Sequence, residues 1–177
     1  RWAGANTCYQ RAEDAAASVG DMVTVLRSRL GRAAVMRGQG NLPLSRAMAQ
    51  EVATRAEAAG LHEVQAMAWA DLGAVLELQG NLEESVQAKY RAFRLTEDSL
   101  NRMRVLGDLG ISLLQVKAWA SARLAFEIVA SSDTSFLVRT NAVLELMDLE
   151  SASGNRMAFE RRRAEAEASR ERMPPSM

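Results

Sequence analysis

The sequence has almost none of the side chains that metal sites and nucleophilic enzymes rely on. Among 177 residues it contains one histidine, His62, and one cysteine, Cys8. A single histidine builds neither a histidine-rich metal cluster nor a catalytic triad without a second chain, and a single cysteine forms no internal disulfide. We expect His62 to be an exposed residue beside a turn and Cys8 to be a small buried thiol. The sequence therefore predicts no enzyme, no catalytic residue, no metal ligand and no cofactor, and a reduced, cytoplasmic setting.

An excess of charge of one sign and long apolar runs are also missing. The chain has 22 basic and 22 acidic side chains and a net charge of zero, whereas a nucleic-acid binder is expected to carry a basic excess. No apolar run reaches the ~18 residues that a membrane-spanning helix needs. Nucleic acid and membrane are therefore excluded from the predicted partners. Because the chain starts at Arg1 rather than at a methionine, we expect it to be a piece of a longer protein.

Proline and strand-forming patterns are scarce. Only three prolines occur, aromatic residues make up 5% of the chain, and alternating runs of valine, isoleucine and threonine are nearly absent. Alanine is abundant and apolar residues recur three and four positions apart, which favours helix nearly everywhere. Turn signals separate about nine predicted helices, at 5–18, 22–37, 43–58, 62–79, 82–97, 99–115, 119–130, 134–152 and 155–171.

What the sequence does contain is an internal repeat. Leu72, Leu109 and Leu146 are spaced 37 residues apart, and the segment GQGNL at 38–42 matches LQGNL at 78–82 with a shift of 40. A period between about 20 and 50 residues indicates a solenoid, in which each helical hairpin buries its apolar face against its neighbours.

The stretch WADLGAVLELQGNLEESVQAKYRAF, from Trp69 to Phe93, resembles a known repeat. It is similar to the tetratricopeptide repeat (TPR), whose pattern is Trp-x-x-Leu-Gly-x-x-Tyr, a turn glycine, and small residues on the second helix. The matching residues are Trp69, Leu72, Gly73, Gly80 and Ala92, with Leu76 in place of the tyrosine and Ser85 in place of an alanine. The next copy has Leu106, Leu109, Gly110, Leu113, Ala122 and Phe126, and a weaker copy has Val143, Leu146, Met147, Gly154, Phe159 and Ala166.

The resemblance implies an all-α, right-handed superhelical solenoid of about nine antiparallel helices. It predicts a single repeat domain over 1–173, with a partial first repeat at 1–21, repeats at about 22–60, 62–98, 99–133 and 134–172, and a disordered tail at 174–177. The family's usual period is 34 residues, and the longer period of 37–40 resembles that of large bacterial regulatory proteins.

Two glycines mark the seam between the helices of a pair. Gly73 and Gly110 each cost roughly 1 kcal/mol inside a helix relative to alanine, so we expect the paired helix to approach closely at both. The leucines of the same copies are expected to fill this seam, and Trp69 to pack between neighbouring hairpins. The predicted structural positions are Trp69, Leu72, Gly73, Leu76, Leu109, Gly110, Leu113 and Leu146.

In the family, the first helix of each pair lines a concave groove. The residue before the seam leucine points into that groove, which here implies a row of Asp71, Asp108 and Glu145. Other implied groove residues are Met67, Ala74, Glu77, Arg104, Ile111, Gln115, Asn141 and Asp148. Such an acidic row beside apolar side chains suits a basic, partly apolar peptide or helix. The alternative is that the carboxylates are solvated, or paired with Arg104 or Arg139.

Three functions follow from these patterns. The first is a protein-interaction module that binds a peptide or partner-protein segment in the groove, within a larger bacterial protein. The second is a regulatory domain of a bacterial transcription or signalling regulator, which senses a small ligand or peptide there. The third is a self-associating scaffold. For the third, an uncovered apolar edge around Trp2, Tyr9, Val23 and Leu26 predicts a homodimer, because solenoids normally cap such ends with polar residues.

Overall fold

The computed structural model describes the backbone of residues 2–171 and the side chains of residues 2–168. Within this part of the chain the backbone forms nine α-helices and no strand. They are α1 (Trp2–Ser18), α2 (Met22–Gly38), α3 (Leu42–Ala58), α4 (His62–Leu78), α5 (Leu82–Leu95), α6 (Ser99–Gln115), α7 (Trp119–Ser131), α8 (Phe136–Ala152) and α9 (Arg156–Glu171). The prediction of an all-α fold is confirmed. The predicted tail at 174–177 lies outside the described residues.

Polar side chains and left-handed turn residues set the helix boundaries. Before α6, the Asp98 side chain accepts a hydrogen bond of 2.7 Å from the backbone N–H of Asn101, which satisfies a donor that the first helical turn leaves free. After α4, Gly80 has a φ of 80°, and at the same place in the next copy Lys117 has a φ of 60°. Glycine adopts this conformation without strain, whereas lysine does not. These local signals explain why the sequence predicted the helix boundaries closely.

The first compact unit covers residues up to Glu97 and contains α1 to α5. Each helix packs against the next one in the chain, and α2 also contacts α4. Trp69 is half-buried and packs against the core of this unit. That core consists of Leu26, Leu30, Ala49, Val52, Ala53, Ala56, Val64, Ala68, Leu72, Leu76 and Ala88. No helix among the described residues is both long enough and apolar enough to cross a bilayer.

The second compact unit begins at Asp98 and contains α6 to α9. Here too each helix packs against the next, and α6 also contacts α8. Leu106, Leu109, Phe126, Val129 and Leu146 are buried in this unit. The boundary between the units coincides with the predicted start of the third full repeat. A single repeat domain across both units stays a prediction.

In two successive repeats, a buried serine of the second helix forms a hydrogen bond with the main chain of the first helix. The Ser45 hydroxyl donates a hydrogen bond of 2.8 Å to the carbonyl of Ala33, and the Ser85 hydroxyl donates one of 2.9 Å to the carbonyl of Gly73. The two serines lie 40 residues apart, as do the two carbonyls. Ala122 stands at the corresponding position of the next repeat.

The paired helices also pack closely at the seam glycines. A Cβ placed on Gly73 would lie 2.6 Å from Cγ of Lys89, and one placed on Gly110 would lie 2.6 Å from the ring of Phe126. Neither distance leaves room for a methyl group. Both contacted residues come 16 positions after their glycine, so α5 and α7 use the same point of the repeat to approach α4 and α6. The seam leucines of these copies are buried, apart from Leu113, which is half-buried.

Two expectations about the start of the chain were wrong. Leu26 does not belong to an open edge: it is fully buried, because α1 packs against α2. The Tyr9 ring lies on Gly31 of α2, and the Trp2 ring lies on Gly38. Cys8 is exposed rather than buried, since it lies on the side of α1 that no other described helix covers.

Candidate functional site

A cleft between α6 and α8 is the strongest candidate site in the second unit. It encloses a cavity of about 190 Å³. Both of its walls are first helices of repeat pairs, as the groove prediction requires. Five of the predicted groove residues line it, namely Arg104, Asp108, Ile111, Asn141 and Glu145.

The rest of the cleft is apolar. Phe126 of α7 lies beneath it and is only 1% exposed, and Val138 and Leu144 contribute aliphatic surface from α8. Gly107 of α6 also lines the cleft, and no heavy atom lies within 4 Å of the place where its Cβ would be. None of these four residues, nor Ala142, which also lines the cleft, was among the predicted groove residues. The one available signal was the position of Phe126, 16 residues after Gly110.

The charges of this cleft are unevenly paired. Nη1 of Arg104 lies 3.2 Å from Oδ2 of Asp108, one turn further along the same helix. The carboxylate of Glu145 forms neither a hydrogen bond nor an ion pair with any other described residue. Burial raises the pKa of the Glu145 carboxyl, and the nearby charge of Asp148 raises that pKa further. The cleft therefore has a carboxylate without a counter-charge, as well as one that is held by an arginine.

The predicted groove acids of the first unit are paired instead. Oδ1 of Asp71 lies 3.0 Å from Nη1 of Arg37, an ion pair that links α4 to α2. Glu77 holds Nζ of Lys89 at 2.5 Å, and the side chain of this lysine is only 8% exposed. The groove prediction named neither Arg37 nor Lys89. Long charged side chains reach partners 34 and 12 residues away along the chain, and the sequence alone does not select among them.

The remaining predicted groove residues do not line the cleft between α6 and α8. In the first unit Met67 is 41% exposed and Ala74 is half-buried. In the second unit Gln115 and Asp148 are exposed and do not line the cleft between α6 and α8.

The described residues hold no group of three histidine, cysteine, aspartate or glutamate side chains that could bind a metal ion. His62 is exposed, and its Nδ1 lies 3.7 Å from the Glu97 carboxylate. The statement that the chain is not an enzyme stays a prediction.

We compared the chain with families of known proteins, with curated proteins and with solved structures. No family model matches the sequence, and no curated protein matches it. BtubC (BKLC) from P. vanneervenii superposes with a TM-score of 0.83 at 14% sequence identity, over 99% of this chain and 76% of its own. The TPR-like repeats of a Podospora anserina protein described as a kinesin light chain superpose with a TM-score of 0.74 at 14% identity, over 99% of this chain and 90% of theirs. A single-substitution variant of those repeats gives a TM-score of 0.74 at 14% identity, over 95% and 86% of the two chains.

Identities this low show the fold alone, and the partners of these proteins do not transfer to this chain. The likeness nevertheless spans nearly the whole sequence in each comparison. The chain therefore has the TPR-like, all-α helical repeat fold.

Proposed function

We propose that this chain is a protein-interaction module that binds a segment of a partner protein in the cleft between α6 and α8. The observation that carries the proposal is Glu145, a partly buried carboxylate without a counter-charge beside the apolar part of the cleft. Removing a charge from water is unfavourable unless an opposite charge replaces the lost hydration. A lysine or arginine side chain of a partner protein would provide the opposite charge next to Glu145.

The contrast with the first unit supports this assignment. There, α2 and α4 are in the same relation as α6 and α8, but the ion pair between Arg37 and Asp71 links them. Glu145, which occupies the position of Asp71 in α8, forms no such ion pair with a described residue. In the second unit a basic, partly apolar peptide or helix therefore reaches Glu145 without first displacing an ion pair of that carboxylate.

The size of the cavity favours a protein segment over a small sensed ligand. Pockets for drug-sized molecules enclose about 300–1,000 Å³, whereas this one encloses about 190 Å³. It accommodates part of a larger partner whose remaining contacts lie outside the cavity. For this cleft we accordingly rank a small sensed ligand below a segment of a partner protein.

A selection experiment tests the proposal. Random peptides displayed on phage are selected on the immobilised full chain, and the affinities of enriched sequences are measured by calorimetry. We expect the enriched peptides to combine basic and apolar residues, and their binding to weaken as salt rises, because exposed charges are screened beyond ~10 Å at 0.1 M salt.

Two variants locate the binding. Glu145→Gln combined with Asp108→Asn removes the acidic groups of the cleft and should weaken binding at least tenfold. Glu83→Gln, a matched change of an exposed acid in the first turn of α5, should leave binding unchanged. Equal binding to all three proteins would show that recognition uses another face, and the proposal would be wrong.

A second candidate, self-association through α1, is favoured by two exposed aromatic rings. Trp2 is 51% exposed and Tyr9 is 41% exposed, although each covers a glycine of α2. A homodimer that buries these rings should appear in sedimentation velocity as a rise in the sedimentation coefficient with concentration. A monomer that persists to millimolar concentration would rule this candidate out.

A further inference from the structure

Gly107 lies inside α6 where packing gives no reason for a glycine. A glycine in a helix interior is less stable than an alanine at the same position. At Gly110, three residues later, the ring of Phe126 occupies the space of the missing side chain, so that residue has a structural role. At Gly107 a Cβ would meet no heavy atom within 4 Å. Packing within the described residues therefore does not account for this glycine.

The repeat shows that this position otherwise carries a side chain. Ala70 stands 37 residues before Gly107, and Leu144 stands 37 residues after it. Leu144 lines the opposite side of the same cleft and is 48% exposed. A side chain as large as leucine on α6 would project into the cavity. The glycine therefore keeps the cavity open and leaves the main chain of α6 bare on that side.

The groups around this opening define what fits it. Glu145 and Asp108 contribute two negative charges and Arg104 contributes one positive charge, so the lining carries a net charge of −1. The pair between Arg104 and Asp108 is about half exposed, and such exposed pairs contribute little to stability. The apolar part of the lining suits a methylene stem, since long cationic side chains bury their stems and keep the charged head near polar groups.

Building on the proposed function, we propose that the cleft is a binding site for a single lysine or arginine side chain of the partner. Its aliphatic stem enters along the bare main chain at Gly107, and its charged head meets the carboxylate of Glu145. Gly107 is a specificity-determining residue, because any larger side chain fills the space that the stem takes.

Three short peptides test the chemistry of the site on the full chain. They are acetyl-Leu-Lys-Leu-amide, acetyl-Leu-Arg-Leu-amide and a neutral control with norleucine at the central position. Binding is followed by two-dimensional ¹H–¹⁵N spectra at up to 10 mM peptide. The two cationic peptides should shift the amide signals of Gly107 and Glu145 and bind at least tenfold more tightly than the norleucine peptide.

The outcomes separate this inference from the proposed function. If the norleucine peptide binds in the cleft as tightly as the other two, the cationic side-chain site is wrong, while peptide binding in the cleft stands. If no peptide shifts any amide signal of α6 or α8, both the cationic side-chain site and peptide binding in this cleft are wrong. Glu145→Gln should remove the preference for the cationic peptides, and a preference that survives this change would overturn the role of Glu145.

Substitutions at Gly107 test its role separately. Gly107→Leu should reduce binding of the lysine peptide at least tenfold while leaving the melting temperature unchanged or higher, because leucine favours helix more than glycine does. Gly107→Ala, which adds only one methyl group, should reduce binding less. Unchanged binding in Gly107→Leu would overturn the inference. A lower melting temperature in Gly107→Leu would also overturn it, because the glycine would then be a packing residue.

Discussion

The ring of Phe126 in α7 lies against the main chain of Gly110 in α6, with Cε1 only 2.6 Å from the point that a Cβ on the glycine would occupy. The seam glycines predicted a close approach of the two helices of a pair, and this contact is that approach for α6 and α7. Gly110→Leu should force the ring out of its place and lower the free energy of unfolding by about 1–3 kcal/mol. Urea denaturation followed by circular dichroism measures the change.

Gly107→Leu, one turn earlier on the same helix, is the matched control for that experiment. Its Cβ meets open space, so its free energy of unfolding should stay the same or rise. Equal losses at the two glycines would mean that helix geometry, and not contact with Phe126, requires them.

Glu150 interrupts the seam of the last repeat. It stands 37 residues after Leu113, is 3% exposed, and pairs through one oxygen with Arg123. Its second oxygen, Oε2, is buried and has no hydrogen-bond partner among the described residues. A buried polar group in this condition costs roughly 1–3 kcal/mol in proteins. Glu150→Leu restores the residue type of the repeat, and Arg123 is exposed enough to regain water.

Glu150→Leu should therefore raise the melting temperature, which calorimetry of the purified chain measures. Glu150→Ala, which removes the charge but leaves a cavity, should gain less or lose stability. A lower melting temperature in Glu150→Leu would show that the pair with Arg123 outweighs the unsatisfied oxygen.

Glu13 ties α1 to α2 through two ion pairs of 2.9 Å, with Arg29 and Arg32. Burial acts to raise the pKa of Glu13, but the hydrogen bonds from Arg32 and Arg29 outweigh burial and hold the pKa below its ordinary value. A carboxyl whose pKa is lower in the folded state contributes stability that is complete above its unfolded pKa of about 4.3. That stability is lost as the pH falls through the folded pKa.

Glu13→Gln should therefore lower the melting temperature at pH 7, and its difference from the natural chain should shrink as the pH falls below about 4.3. Thermal unfolding of both proteins between pH 7 and pH 3 measures this. Asp133→Asn, a change at an exposed acid, is the control and should show no such difference. A difference that stays constant down to pH 3 would contradict the role of these ion pairs.

Glu145 should show the opposite dependence on pH. Burial and the charge of Asp148 raise the pKa of its carboxyl. The folded state then binds a proton more readily than the unfolded state, and stability falls as the pH rises through the two pKa values. Glu145→Gln should therefore be more stable than the natural chain at pH 7, and the advantage should disappear below the unfolded pKa. If Glu145→Gln is less stable at pH 7, the carboxylate has a partner in the folded chain and the proposed site loses its basis.

The sequence by itself determined the helices, the repeat and the seam. Glycines that adopt a left-handed conformation end the helices, and caps such as Asp98 begin them, so both signals are local and visible in the sequence. The spacing of Leu72, Leu109 and Leu146 places one face of each first helix against its partner, because stacked hairpins repeat the same contacts. The resemblance to the tetratricopeptide repeat then named five of the residues that line the cleft between α6 and α8.

Only the tertiary structure decided which charges are paired and which surfaces are open. Asp71 and Glu145 occupy the same position of the repeat, yet Arg37 lies within reach of the first and no basic group pairs with the second among the described residues. The long side chains of arginine and lysine pair with whichever carboxylate of a neighbouring helix lies within reach. The distance between two such side chains depends on how the helices pack and cannot be read from their spacing in the sequence. Helix packing in three dimensions likewise decides that Leu26 is covered by α1 and Cys8 is not, and that Gly107 faces empty space while Gly110 does not.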